Sequence, residues 1–194
     1  MNTIVGDPSR FALESHISIA YNRPFFSALG FFNVHINGLR YGVYKPDATM
    51  LNCSYERICR RVQRAGSHTV PFSGATDAAA IATAFRYAVY APEQKGQVYF
   101  GLSSEAFGGL FNQKSLVLAP DGEEGFDDGS FILHFDEDEY VRLIGFKVEQ
   151  EGYGFDMKSL ADLRISALEF YSILTEWSRK IEIQWSTSPK VDYI

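Results

Sequence analysis

Cysteine is scarce in this chain: 194 residues contain two, Cys53 and Cys59. Two thiols six residues apart match no zinc-ligand spacing and cannot frame a small disulfide-stapled fold. No run of about 18 apolar residues occurs, so no transmembrane helix is expected. The first residues, Met1 to Pro8, lack a basic start followed by an apolar stretch, so no secretory signal is expected. Together these absences predict a reducing, cytoplasmic setting. Catalytic signatures are missing too. Gly101-Leu102-Ser103-Ser104-Glu105 approaches a nucleophile elbow but lacks the second glycine, and neither His-Glu-x-x-His nor a Gly-rich phosphate loop occurs.

Basic residues are few in the second half. Residues 1–100 hold 10 Lys and Arg against 6 Asp and Glu, whereas residues 101–194 hold 8 against 18. The net charge of −6 disfavours non-specific binding to nucleic acid or anionic membranes, which needs a dense basic face. It suits a basic protein partner instead. No cofactor and no metal are expected.

What is present suffices for a packed core. Hydrophobic residues make up 46%, with 16 Phe, 11 Tyr and 2 Trp. A chain of this length buries roughly 70% of its unfolded surface. No internal repeat or low-complexity linker interrupts it, so residues 1–194 are expected to form a single domain. The predicted class is α+β: a mainly antiparallel sheet of hairpins packed by about three helices, including a long C-terminal helix.

The local signals are as follows. Phe11, Leu13, Ile17 and Ile19 alternate with polar or small residues, the period of a half-buried strand. Asn37-Gly38 between two alternating runs predicts a two-residue hairpin turn, pairing Ile36 with Leu39, Val34 with Tyr41 and Phe32 with Val43. A helix is expected from Ser54 as N-cap, through Tyr55, Ile58, Cys59 and Val62, to Gly66. A second starts at Thr76 or Asp77 and ends near Tyr90. Short strands are expected at 97–102 and 115–119, burying Val98, Phe100, Leu116 and Leu118. Residues 120–130 read as loop. Phe131–Phe135 and Tyr140–Val148 read as a second hairpin, and 160–165 as a last strand. Ser166 and Glu169 form a capping box, followed by the stripe Phe170, Ile173, Leu174, Trp177, Ile181 and Trp185. The tail after Ser186 is expected to be loose.

Four groups could carry function. His16, His35, His68 and His134 are scattered, and their positions predict a surface role; an acid–base cluster of His16, His35 and Glu14 on one sheet face is the enzymatic alternative. Cys53, beside a helix start, could be an activated thiol, but no base partner is evident. Arg57, Arg60, Arg61 and Arg64 line one side of the first helix; they could meet phosphate or an acidic protein, or simply be solvated. The acidic segment is the preferred binding surface. It contains Asp121, Glu123, Glu124, Asp127, Asp128, Asp136, Glu137, Asp138 and Glu139 without a Lys or Arg, and its spacing does not match a calcium loop. Phe126 would be an apolar anchor amid that charge, and the surface would steer a basic partner. A self-associating structural module is a further alternative, and the oligomeric state stays open.

Several segments also carry a resemblance. They are residues 4–12 (Ile-Val-Gly-Asp-Pro-Ser-Arg-Phe-Ala), 28–32 (Ala-Leu-Gly-Phe-Phe) through 46–51 (Pro-Asp-Ala-Thr-Met-Leu), 126–130 (Phe-Asp-Asp-Gly-Ser), and 169–174 (Glu-Phe-Tyr-Ser-Ile-Leu) with Trp177. In these the chain resembles the immunity protein 42 family of bacterial polymorphic toxin systems. The resemblance implies a small cytoplasmic protein that binds a cognate toxin domain and neutralises it by direct occlusion. It implies no catalytic residues and does not specify the toxin's activity.

Overall fold

The computed structural model describes residues 2–72, 76–91, 96–120, 122, 124–149 and 151–192. The architecture is α+β, with two main, largely antiparallel sheets and four α-helices among the described residues. The first sheet orders β1 (Thr3–Asp7), β2 (Phe11–Tyr21), β3 (Ala28–Ile36) and β4 (Leu39–Tyr41), with β5 (Thr49–Met50) also beside β3. Asn37 and Gly38 both take left-handed φ values, 50° and 79°, the geometry that a two-residue hairpin turn needs. Ile36 therefore opposes Leu39 and Val34 opposes Tyr41, as the pattern predicts. The third expected pair does not form, because β4 ends at Tyr41.

In β2, Phe11 and Leu13 are buried as expected, but Ile19 is exposed. Ile17 opposes Gly30 and Ile19 opposes Leu29, so Ser18 is an extra residue. That bulge reverses the inward parity and turns Ala20 to the core instead.

Helix α1 (Leu51–Gln63) follows β5 directly and starts before the expected Ser54 cap. Leu51 anchors its first turn in the core, and Ser54 is buried within the helix. Helix α2 (Ala78–Tyr90) begins as expected, with the Asp77 carboxylate accepting from the Ala80 N–H at 2.9 Å. A small hairpin of β6 (Val98–Tyr99) and β7 (Leu102–Ser103) follows. Val98, expected to be buried, is 69% exposed there. Helix α3 (Ser104–Gln113) has no counterpart in the sequence reading. Its Gly108-Gly109 pair reads as a helix breaker. In the fold a Cβ on Gly108 would lie 3.1 Å from the Ala88 carbonyl oxygen, so the glycine lets α3 approach α2.

The second sheet comprises β8 (Val117–Ala119), β9 (Ser130–Glu137), β10 (Tyr140–Val148) and β11 (Phe155–Ser166), in the order β11-β10-β9-β8. The long helix α4 (Ala167–Thr187) starts on Ser166, whose hydroxyl accepts from the Glu169 N–H at 3.1 Å. The Glu169 carboxylate itself pairs with Arg10 at 2.7 Å. The tail expected to be loose instead adds β12 (Lys190–Val191) in parallel beside β2. Lys190 also lies over the Trp185 ring, 4.3 Å from its centroid.

Two apolar cores share the second sheet. One joins the first sheet to Ile132, Val141, Leu143 and Ile165, and takes in Ile58 of α1 and Phe170, Leu174 and Trp177 of α4. The other packs Phe131, Leu133, Phe135, Ile144 and Phe146 against α2 and α3. With both faces covered, β9 and β10 are buried over most of their length. Among the described residues no helix is long and apolar enough to cross a membrane.

Candidate functional site

The acidic segment does not form one continuous surface. Strand β9 separates its two halves by about 25 Å, the length of eight extended residues. At one end, a single 3-10 turn at Glu124–Phe126 exposes Glu124 and, just after it, Asp127. Asp128 is half-buried and pairs with Lys147 at 2.6 Å. At the other end, the Asp138-Glu139 turn exposes both carboxylates, and Glu137 pairs with Arg164 at 2.9 Å. Asp121 and Glu123 lie outside the described residues. Among the described residues, Glu124, Asp127, Asp138 and Glu139 form no ion pair.

Two members of the expected surface face inward. Phe126 is 4% exposed, with its ring edge against Phe32 at 6.1 Å, so it anchors the core. Asp136 is 7% exposed. It lies two residues from His134 on the face of β9 that meets α4, and its charge is spent inside the protein.

The network around Asp136 is one that sequence reasoning missed. Oδ2 accepts from the His68 backbone N–H at 2.9 Å and the His68 Nδ1–H at 3.0 Å. Oδ1 accepts from the Tyr171 hydroxyl at 2.7 Å and from His134 Nε2–H at 3.2 Å. Arg61 donates to the remaining ring nitrogen of His134, and to the carbonyls of Ser115 at 2.9 Å and Val117 at 2.8 Å. With Nδ1 accepting and Nε2 donating, His134 is neutral. Its complete burial agrees, pushing its pKa down to about 3. Burial alone would raise the Asp136 carboxyl, but hydrogen bonds from His134 and His68 outweigh it and hold the group well below the usual range. Arg61, lowered by burial to about 10, remains charged at neutral pH and balances Asp136 through the imidazole.

This arrangement commits both oxygens of Asp136 and both ring nitrogens of His134 to internal hydrogen bonds. The donor atoms of His68, His134 and Asp136 lie within 4.8 Å of one another. A cation there would stand beside a guanidinium and compete with four hydrogens on Asp136, so the set does not fit a metal. The signal for the network was the His134-x-Asp136 spacing, which places both on one strand face. Alternation assigned that face to solvent; the fold covers it with α4.

The other sequence candidates resolve differently. Glu14 accepts from His35 at 2.9 Å and from the Asn2 amide at 2.8 Å, and is itself buried. His16 instead stacks on Phe31 at 5.7 Å, so two of the three cluster members meet. The cleft that includes Arg40 is lined by Tyr44, Lys45, Glu124, Asp127 and Lys147, not by Glu14, His16 or His35. Cys53 and Cys59 are both unbridged and half-buried. Burial pushes the Cys59 thiol up, away from the reactive thiolate. Of the α1 arginines, Arg61 is buried and the others are exposed.

No curated protein sequence matches the chain. A solved structure with a similar fold is the crystal structure of CdiI from Burkholderia dolosa. It aligns with a TM-score of 0.59 over 92% of this chain and 99% of that one, at 14% identity. Likeness at that identity concerns the fold. The model of the immunity protein 42 family matches residues 3–180, so the chain belongs to that family and is an immunity protein, one that neutralises a toxin.

Proposed function

We propose that this protein neutralises its cognate toxin by direct, stoichiometric occlusion, using exposed carboxylates to steer a basic toxin surface. The observation that carries the reading is the set of exposed acids that form no ion pair among the described residues, at the two ends of β9: Glu124 and Asp127 at one, Asp138 and Glu139 at the other. Exposed like charges speed encounter with an oppositely charged partner and set its orientation. The chain does this in the cytoplasm as a single domain, without catalysis and without binding nucleic acid or membrane. The saturated Asp136 network supports a non-enzymatic role, since its carboxylate and His134 are both committed to internal hydrogen bonds.

The test is association kinetics with the cognate toxin domain. Glu124→Lys with Asp127→Lys, and separately Glu139→Lys, should slow association about three- to tenfold at low salt and flatten its salt dependence. Rates that stay the same for both variants, at low and high salt, would remove the acidic surfaces from the interface.

A further inference from the structure

The basic counterpart of these acids lies on α1. Arg57, Arg61 and Arg64 recur at i, i+4 and i+7, with Arg60 beside them, a spacing that gathers side chains on one helix face. Together with His68 and Ser115 they line a cleft of about 410 Å³. That volume falls within the range of small binding sites.

The charges in the cleft are only partly answered. Arg60 pairs with Glu56 at 2.8 Å. Arg64 donates to the Ser115 hydroxyl at 2.9 Å, and Arg57 to the Pro120 carbonyl at 3.5 Å. Among the described residues, neither Arg57 nor Arg64 pairs with a carboxylate. At the floor Arg61 is held rigidly by two carbonyls, with its charge fixed in place. Burial disfavours that charge most, Tyr171 and Asp136 support it, and Arg57 and Arg64 oppose it. An anion entering the cleft would relieve this repulsion and meet donors already positioned.

We propose that the cleft receives an acidic loop of the toxin, with one carboxylate seated between Arg57, Arg61 and Arg64. Two observations favour a carboxylate over a phosphate. The cleft is bordered by the last turns of α1 and α3. Helix C-termini carry partial negative charge, which penalises a dianion more than a single carboxylate. Second, the cleft adjoins the turn that leads to exposed Glu124: Arg57 touches the Pro120 carbonyl, and Gly122 lies beside its guanidinium. The basic cleft and the exposed Glu124 and Asp127 thus form a bipolar surface, which a partner of matching charge pattern can meet in one orientation. The proposal rests on the reading that this chain contacts its toxin directly.

The cleft's chemistry can be tested without the toxin. Nitrogen-15-labelled protein would be titrated with acetylated hexaglutamate, hexalysine and sodium pyrophosphate while the arginine Nε–Hε signals are followed. Hexaglutamate should shift the Arg57 and Arg64 signals at lower concentration than pyrophosphate, and hexalysine should not. In R57E/R64E and the neutral R57Q/R64Q, both at exposed positions, hexaglutamate should no longer shift the Arg61 Nε–Hε and Ser115 amide signals that it shifts in the wild type, while the amide spectrum of the fold is kept. In the complex, R57E/R64E should weaken toxin affinity about tenfold or more. No response to hexaglutamate, or tighter binding of pyrophosphate, would overturn the proposal. If R57E/R64E leaves toxin affinity intact while Glu124→Lys with Asp127→Lys slows association, the cleft is excluded and the acidic interface stands. If the wild-type protein forms no complex with the toxin, the direct-contact reading falls, and the peptide titration still decides which anion the cleft prefers.

Discussion

Tyr171 of α4 donates its hydroxyl hydrogen to Oδ1 of Asp136 on β9 at 2.7 Å, tying the long helix to the second sheet at a buried charge. Hydrogen bonds to charged groups are the stronger kind. Tyr171→Phe should therefore lower stability by about 1.5–3 kcal/mol, read as a shift in the urea midpoint at unchanged slope. A shift close to zero would show that the hydroxyl is not a required partner of Asp136.

Asp136→Asn should cost more. An amide has one oxygen and would turn an NH2 donor toward the other donors of the network, and the substitution removes the charge that balances Arg61. Breaking a buried charged network costs about 3–5 kcal/mol. The predicted signature is a large loss of stability, with toxin association unchanged in whatever fraction remains folded. A stable D136N protein that associates slowly would instead return Asp136 to the binding surface.

The His134 environment makes stability depend on pH. Its folded pKa is depressed to about 3, whereas an unfolded histidine titrates near 6.5. Below that value the unfolded chain takes up a proton that the folded protein refuses. Stability therefore falls with pH across this window, by at most about 1.4 kcal/mol per pH unit from this residue. Asp136 is depressed as well, so below about pH 4 its unfolded form also gains a proton first, and the slope steepens. Urea titrations at pH 7.5, 6.5, 5.5 and 4.5 should show little change over the first interval and a loss of about 1 kcal/mol over each of the next two. His134→Asn should flatten the profile between the two upper values and the lowest. An equally steep profile in that variant would assign the dependence to other groups.

Gly145 of β10 leaves room for Tyr41. A Cβ there would lie 2.5 Å from Tyr41 Cζ, in a ring whose hydroxyl donates to the Ser159 carbonyl at 2.7 Å. Gly145→Ala should thus destabilise the contact between the two sheets by about 1–3 kcal/mol, measured by thermal or urea unfolding. An unaffected midpoint would mean that the sheets can slide apart at no cost.

Several elements were legible in the chain because their signals are local. The Asn37-Gly38 turn, the Asp77 and Ser166 caps and the stripe Phe170, Leu174, Trp177 and Ile181 each depend on residues within a few positions of one another. Propensity and periodicity act over that range. The family resemblance was likewise carried by short contiguous segments.

What the chain alone could not determine was which faces meet. Alternation places His134 and Asp136 opposite Leu133 and Phe135, and alternation cannot say whether that second face meets water or a helix. Only the docking of α4 and α1 on β9 decided it, turning an expected surface acid into a buried charge held by His68, His134 and Tyr171. The same holds for Ile19, reversed by one bulged residue in β2, and for α3, whose Gly108 lets α2 pack closely against it. Partners for a buried charge come from distant parts of the chain, here residues 61, 68, 134 and 171, and tertiary packing brings them together.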